Sequence, residues 1–134
     1  MRIKKNAQQR NFRMKMILKI AIFVFGVTAT QAAAQSYQVI TDKVMFLASM
    51  NGKNLSNRLY GVNLAVASSG QIVGTGAGWD ITGTWAWENG FFCREMSWGG
   101  DPVAYNCQLV EFNGLDMRFT SDQGLGDSAS FRLR

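Results

Sequence analysis

The stretch from Trp79 to Phe112 constrains the fold more than any other. It holds all four tryptophans and both cysteines. Asn89-Gly90 and the cluster Gly99-Gly100-Asp101-Pro102 divide it into three apolar, aromatic-rich segments, and Asn113-Gly114 closes it. Turn signals at this spacing predict strands joined by hairpins. A two-residue turn at Asn89-Gly90 sets Trp87 opposite Phe92 and Trp85 opposite Arg94. Direct pairing of Cys93 with Cys107 then sets Arg94 opposite Asn106 and Met96 opposite Ala104. A second two-residue turn at Asn113-Gly114 sets Val110 opposite Met117 and Gln108 opposite Phe119.

These three registers agree on two faces. The first collects Trp85, Trp87, Phe92, Met96, Trp98, Val110, Phe112, Leu115, Met117 and Phe119, and is the expected core face. The other collects Phe91, Cys93, Glu95, Ser97, Tyr105, Cys107, Leu109, Glu111, Arg118 and Thr120. A disulfide there locks register from outside. Arg94 falls on the apolar face, where an unpaired charge is costly. Two readings follow. It clamps an anion at the base of an aromatic pocket, stacked on Trp85 or Trp87, or it is neutralised internally, with Asp80 as a candidate partner, or reaches water at a barrel mouth. The candidate ligand-binding residues are therefore Arg94, Trp85, Trp87, Trp98 and Asn106. The tryptophans have the alternative role of filling a small core.

Charge removes one class of function. The chain carries +5 overall, but seven of its 14 Lys and Arg lie before residue 35, where no acidic residue occurs. The remainder has seven basic and nine acidic side chains, a net of −2. Phosphate binding needs basic residues clustered on the folded domain, so nucleic acid is not an expected partner. Residues 1–34 have the parts of a secretory signal: a basic segment ending at Lys19, the apolar run Ile20 to Val27, and Ala32-Ala33-Ala34 as a cleavage site. The apolar run is too short for a stable bilayer span. Met14 and Met16 are alternative starts to Met1. The expected product is a single domain over residues 35–134, exported to the periplasm or outside a Gram-negative cell. An even cysteine count in an exported chain favours a disulfide.

Elsewhere in residues 35–134, Thr41 is placed to cap a helix running through Val44 to Met50, with Asn51-Gly52 as its stop. Strands are expected over 59–67, 71–77, 79–88, 91–98, 103–112, 115–121 and 128–133, with bends at Gly74, Gly76 and Gly78. The fold class is mainly β: a small antiparallel meander barrel, lipocalin-like in outline, or a sandwich, with one short N-terminal helix. The chain has no histidine, which removes the commonest general base and metal ligand. No G-x-S-x-G occurs, and the carboxylates Asp80, Glu88, Glu95 and Asp101 form no pair that specifies hydrolysis. Gly74-Thr75-Gly76-Ala77-Gly78 lacks the full dinucleotide fingerprint. No catalytic residue, metal or cofactor is assigned. The expected partner is a small apolar or anionic ligand, and the alternative is a structural or protein-interaction domain with a filled core.

The run Gly83-Thr84-Trp85-Ala86-Trp87-Glu88-Asn89-Gly90-Phe91-Phe92-Cys93-Arg94-Glu95, the later Tyr105-Asn106-Cys107, and the tail from Arg118-Phe119-Thr120 to Ser128-Ala129 resemble a group of small exported proteins of alphaproteobacteria. The resemblance implies export and an envelope location. It carries no established activity, although some members bear the label dihydrodipicolinate reductase. An enzyme of that name is a larger cytoplasmic protein with a nicotinamide-binding Rossmann domain. This chain has neither the strand–helix alternation nor the length for one.

Overall fold

The computed structural model describes residues 35–134. The expected signal and its cleavage site lie outside the described residues. In chain order the elements are β1 (Gln38–Val39), α1 (Lys43–Met50), β2 (Leu55–Asn57), β3 (Val62–Val66), β4 (Gln71–Gly76), β5 (Trp79–Glu88), β6 (Phe91–Trp98), β7 (Asp101–Phe112), β8 (Asp116–Thr120), α2 (Ser121–Gly124) and β9 (Ser128–Leu133). Each strand from β2 to β9 pairs antiparallel with the next, and β9 pairs back with β2. The result is a closed eight-stranded meander barrel, one of the two expected solutions, and the sandwich is excluded. Closure removes the open sheet edges that a meander of this length would otherwise present. β1 adds to β7 beyond the end of β6, with Gln38 facing Phe112 and Val39 facing Glu111.

The tryptophan hairpin follows its turn chemistry. Asn89 and Gly90 both have positive φ, 50° and 85°, as a type I′ turn requires. Trp87 faces Phe92, Trp85 faces Arg94, and Cys93 faces Cys107, to which it is bonded. Two register expectations need correction. Met96 faces Val103 rather than Ala104, because a bulge sets Ala104 and Tyr105 of β7 against Glu95 alone. The β7–β8 register is shifted by two residues: Val110 faces Phe119 and Phe112 faces Met117. The cause is Asn113. Its side-chain oxygen accepts from the N–H groups of Leu115 (3.0 Å) and Asp116 (2.7 Å), so Asn113 opens the turn and Gly114-Leu115 form its tip. A shift of two preserves the faces, but it leaves Leu115 exposed rather than in the core.

The inward face is otherwise the expected one, with Trp85, Phe92, Val110, Met117 and Phe119 all buried. The outward face is partly covered. Cys93 is only 2% exposed, and Thr120 is buried with its hydroxyl 2.8 Å from that of Ser128. Glu111 and Arg118 pair across β7 and β8 at 2.7 Å, and the Arg118 guanidinium lies 4.1 Å from the centre of the Tyr37 ring. That contact holds the lead-in against the barrel wall. Leu59 and Tyr60 are exposed in the turn before β3 rather than part of a strand, and the short polar strand β2 was not expected at all.

α1 closes one end of the barrel. Its Phe46 is fully buried, with ring centres 5.2 Å from Trp85, 5.3 Å from Phe92, 5.5 Å from Trp87 and 6.4 Å from Phe119. Met50, one turn on, is buried beside it in the same core. The cap is Asp42, not Thr41: its carboxylate accepts from the Met45 N–H at 2.8 Å, and Asn51 ends the helix in a left-handed conformation. Asp42→Ala should therefore destabilise the protein by about 1 kcal/mol, and Thr41→Ala by much less. Urea unfolding of the two variants measures this, and equal losses would contradict the assignment of the cap.

Candidate functional site

The end filled by α1 leaves a cavity of about 200 Å³ in the rest of the barrel. Seven of the eight barrel strands line it, and β5, the strand that carries Trp79, Trp85 and Trp87, does not. The apolar part includes Leu55, Leu64, Ile72, Met96 and Phe131. Phe92 and Phe119 form its floor, since both also touch Phe46 on the other side. The polar side chains on the wall are Arg94 and Gln108. Arg94, Met96, Gln108, Ala129 and Phe131 are half-exposed and mark its solvent side.

Strand alternation places Arg94 there. It lies two residues past Phe92 on β6, on the same inward face. Its Nη1 donates to the carbonyl of Ala104 at 2.6 Å, within the β7 bulge. The bulge thus supplies the contact that holds the guanidinium. Among the described residues no carboxylate lies within ion-pairing distance of it, so the expected internal partner Asp80 is not one. Partial burial lowers the Arg94 pKa from its usual value through desolvation, and an arginine remains charged nonetheless. Gln108 lies on the same face, directly opposite Phe92, and supplies an amide with both donor and acceptor atoms.

The other candidates are placed differently. Trp85 fills the core and donates its indole N–H to the Ala67 carbonyl at 2.8 Å. The cation over its ring is Lys43 at 5.2 Å, not Arg94. Trp87 donates to the Thr41 carbonyl at 3.3 Å and packs on Phe46. Trp98 crosses to β4, donates to the Gly76 carbonyl at 2.9 Å and rests its ring where a side chain at residue 76 would stand. Asn106 faces Arg94 across the strands, but its side chain is engaged with α2. It donates to the Asp122 carboxylate at 2.7 Å and accepts the Asp122 N–H at 3.0 Å. Asp122 and Gln123 both have left-handed backbones, with φ of 52° and 58°, and Asn106 pins this turn beside the cavity strands. Of the five sequence candidates, Arg94 alone lines the cavity.

Sequence reasoning did not single out Gln108, Met96 or Phe131 as lining residues. For Gln108 a signal existed: a polar residue on the inward face of β7, two positions before the buried Val110. The sulfurs of Cys93 and Cys107 and a carboxylate oxygen of Glu88 lie within 4.8 Å of one another. The sulfurs are bonded to each other, so they offer no thiolate to a metal. No protein-family model, curated protein or solved structure matches the chain.

Proposed function

We propose that this chain is an exported, non-catalytic β-barrel module that binds a small, largely apolar molecule. The observation that carries the reading is the 200 Å³ cavity with the guanidinium of Arg94 on its wall and, among the described residues, no carboxylate within ion-pairing distance of it. Ligand sites are typically apolar with a few placed polar groups, and this one, below the roughly 300 Å³ at which drug-sized sites begin, suits a smaller molecule. The Cys93–Cys107 bond, the leader and the resemblance to small exported alphaproteobacterial proteins support a location outside the cytoplasm. Native mass spectrometry of the protein purified from the periplasm should show a reproducible bound small molecule. A protein that is always empty, and that takes up none of a panel of small apolar compounds, would overturn the reading.

A second reading, a protein-interaction module, draws on the exposed Leu59, Tyr60 and Trp79. Their turns lie side by side, since the Ala77 N–H is shared between the carbonyls of Tyr60 and Gly61. The same spectra distinguish the two readings, because a partner would appear as a complex of protein mass.

A further inference from the structure

Resting on the binding reading above, we infer that the ligand is a small monocarboxylate whose carboxylate meets Arg94 and Gln108 and whose apolar tail lies against Ile72, Phe119 and Phe131. Three features of the cavity specify this class. The first is polarity. Arg94 and Gln108 are on adjacent strands, so the polar wall is confined to one side, and the remaining wall is apolar. A sugar or nucleoside, with hydroxyls all round, would leave donors and acceptors unpaired against Leu55, Leu64 and Ile72. An amphiphile with one polar end would not.

The second is charge. The guanidinium is the one formal charge on the cavity wall among the described residues. A single fixed cation matches a singly charged anion. An ammonium ligand would be repelled, and a doubly charged phosphate ester would bring in more charge than the wall neutralises. Nη1 already donates to Ala104, which fixes the guanidinium and leaves its other N–H groups for a ligand. Such donors can bind a carboxylate through parallel hydrogen bonds, and the Gln108 amide can add another.

The third is size. With about 30 Å³ for each water-sized group, a cavity of 200 Å³ holds about six or seven non-hydrogen atoms. With the carboxylate at the half-exposed mouth, the best ligand has about six to eight carbons in all, and so a tail of about five to seven. A phospholipid or a long-chain fatty acid does not fit without displacing the floor formed by Phe92 and Phe119.

The test is calorimetric titration of the mature, ligand-stripped protein with butanoate, hexanoate, octanoate, decanoate and dodecanoate, and with octanol, octylamine and octyl phosphate. Affinity is expected to peak at hexanoate or octanoate. Octanol and octyl phosphate should bind more weakly than octanoate, and octylamine least. Arg94→Met keeps the length of the side chain without its charge. It should weaken octanoate by about 10- to 100-fold, the scale of a charged hydrogen bond, and leave octanol nearly unchanged. Ala129→Phe, which puts a ring into the solvent side of the cavity and keeps the Arg94 charge, should weaken octanoate and octanol alike. If octanol matches octanoate and Arg94→Met has no effect, the carboxylate assignment is overturned while the cavity remains a binding site. If octyl phosphate binds best, the head group is a phosphate and the assignment is again overturned. If no compound binds, octanol included, the binding reading falls with it.

Discussion

Phe46→Ala should destabilise the barrel by about 3–5 kcal/mol, the usual range for emptying a fully buried phenylalanine site. Phe46 has no exposed surface, and four aromatic rings surround it, so the space it leaves cannot collapse without moving the strands that carry them. Each kcal/mol lowers the midpoint by about 4–8 °C in a domain of this size. The melting temperature should therefore fall by about 12–40 °C, or the variant should be unfolded at 37 °C. Tryptophan fluorescence during urea unfolding reports it, because Trp85 and Trp87 both touch Phe46. Val44, on the same helix, is 79% exposed, and Val44→Ala should change stability by no more than about 0.5 kcal/mol. A loss below about 1 kcal/mol for Phe46→Ala would mean that α1 does not plug the barrel.

Replacing both cysteines by serine should cost about 3 kcal/mol, the chain-entropy value for a loop of about 15 residues. The pair is 14 residues apart and joins directly opposed positions of β6 and β7. Its removal frees the unfolded chain and leaves the native ladder in place. Urea unfolding of Cys93→Ser/Cys107→Ser, and of the native protein under reducing conditions, should show matching losses. An unchanged midpoint in both would show that the bond is thermodynamically idle. The bond also brackets the site. Cys93 and Cys107 are the immediate neighbours of Arg94 and Asn106, and the bulge begins on the far side of that pair. Without it, Arg94 should lose some of its fixed position, which a weaker octanoate affinity in the serine variant would register.

The sequence was most legible where local chemistry decides the structure. The Asn89-Gly90 turn determines the β5–β6 register outright, because few other residues tolerate two successive positive φ values. Strand faces were legible for the same local reason, since alternation survives any even shift of register. The β7–β8 register is not legible from the turn alone, because Asn113 has two competing uses. It can adopt a left-handed backbone at the tip of a turn, or it can accept hydrogen bonds from the residues after it, and here the second wins. The bulge at Ala104 and Tyr105 carries no glycine to announce it. β2 has the polar residues Ser56 and Asn57 in a three-residue strand, too short for any alternation to register.

The cavity was less legible than the fold. Its wall is assembled from strands that run from Leu55 to Phe131, so no window of sequence contains it. Tryptophans so clustered suit ligand stacking, but buried indole N–H groups need partners inside a small barrel. Trp85, Trp87 and Trp98 found backbone carbonyls instead. Arg94 was legible because a charge at an inward position is a contradiction that something must resolve. The structure resolves it in part with one carbonyl, and the remainder is the basis for the proposed ligand.

The seam between β2 and β9 has a consequence for how the chain reaches this state. Leu55 faces Leu133, so the wall joins one of the first strands to the last residues of the chain. Until the C-terminal strand exists, the barrel cannot shut, and Phe46 has to wait for Phe92 and Phe119 before its pocket is complete. Long-range closure of this kind makes folding slow. The partly built sheet meanwhile shows two bare edges to its neighbours. The cysteine hairpin needs only local sequence and can form early. The order of assembly is therefore expected to run outward from β6 and β7, with the seam closing last.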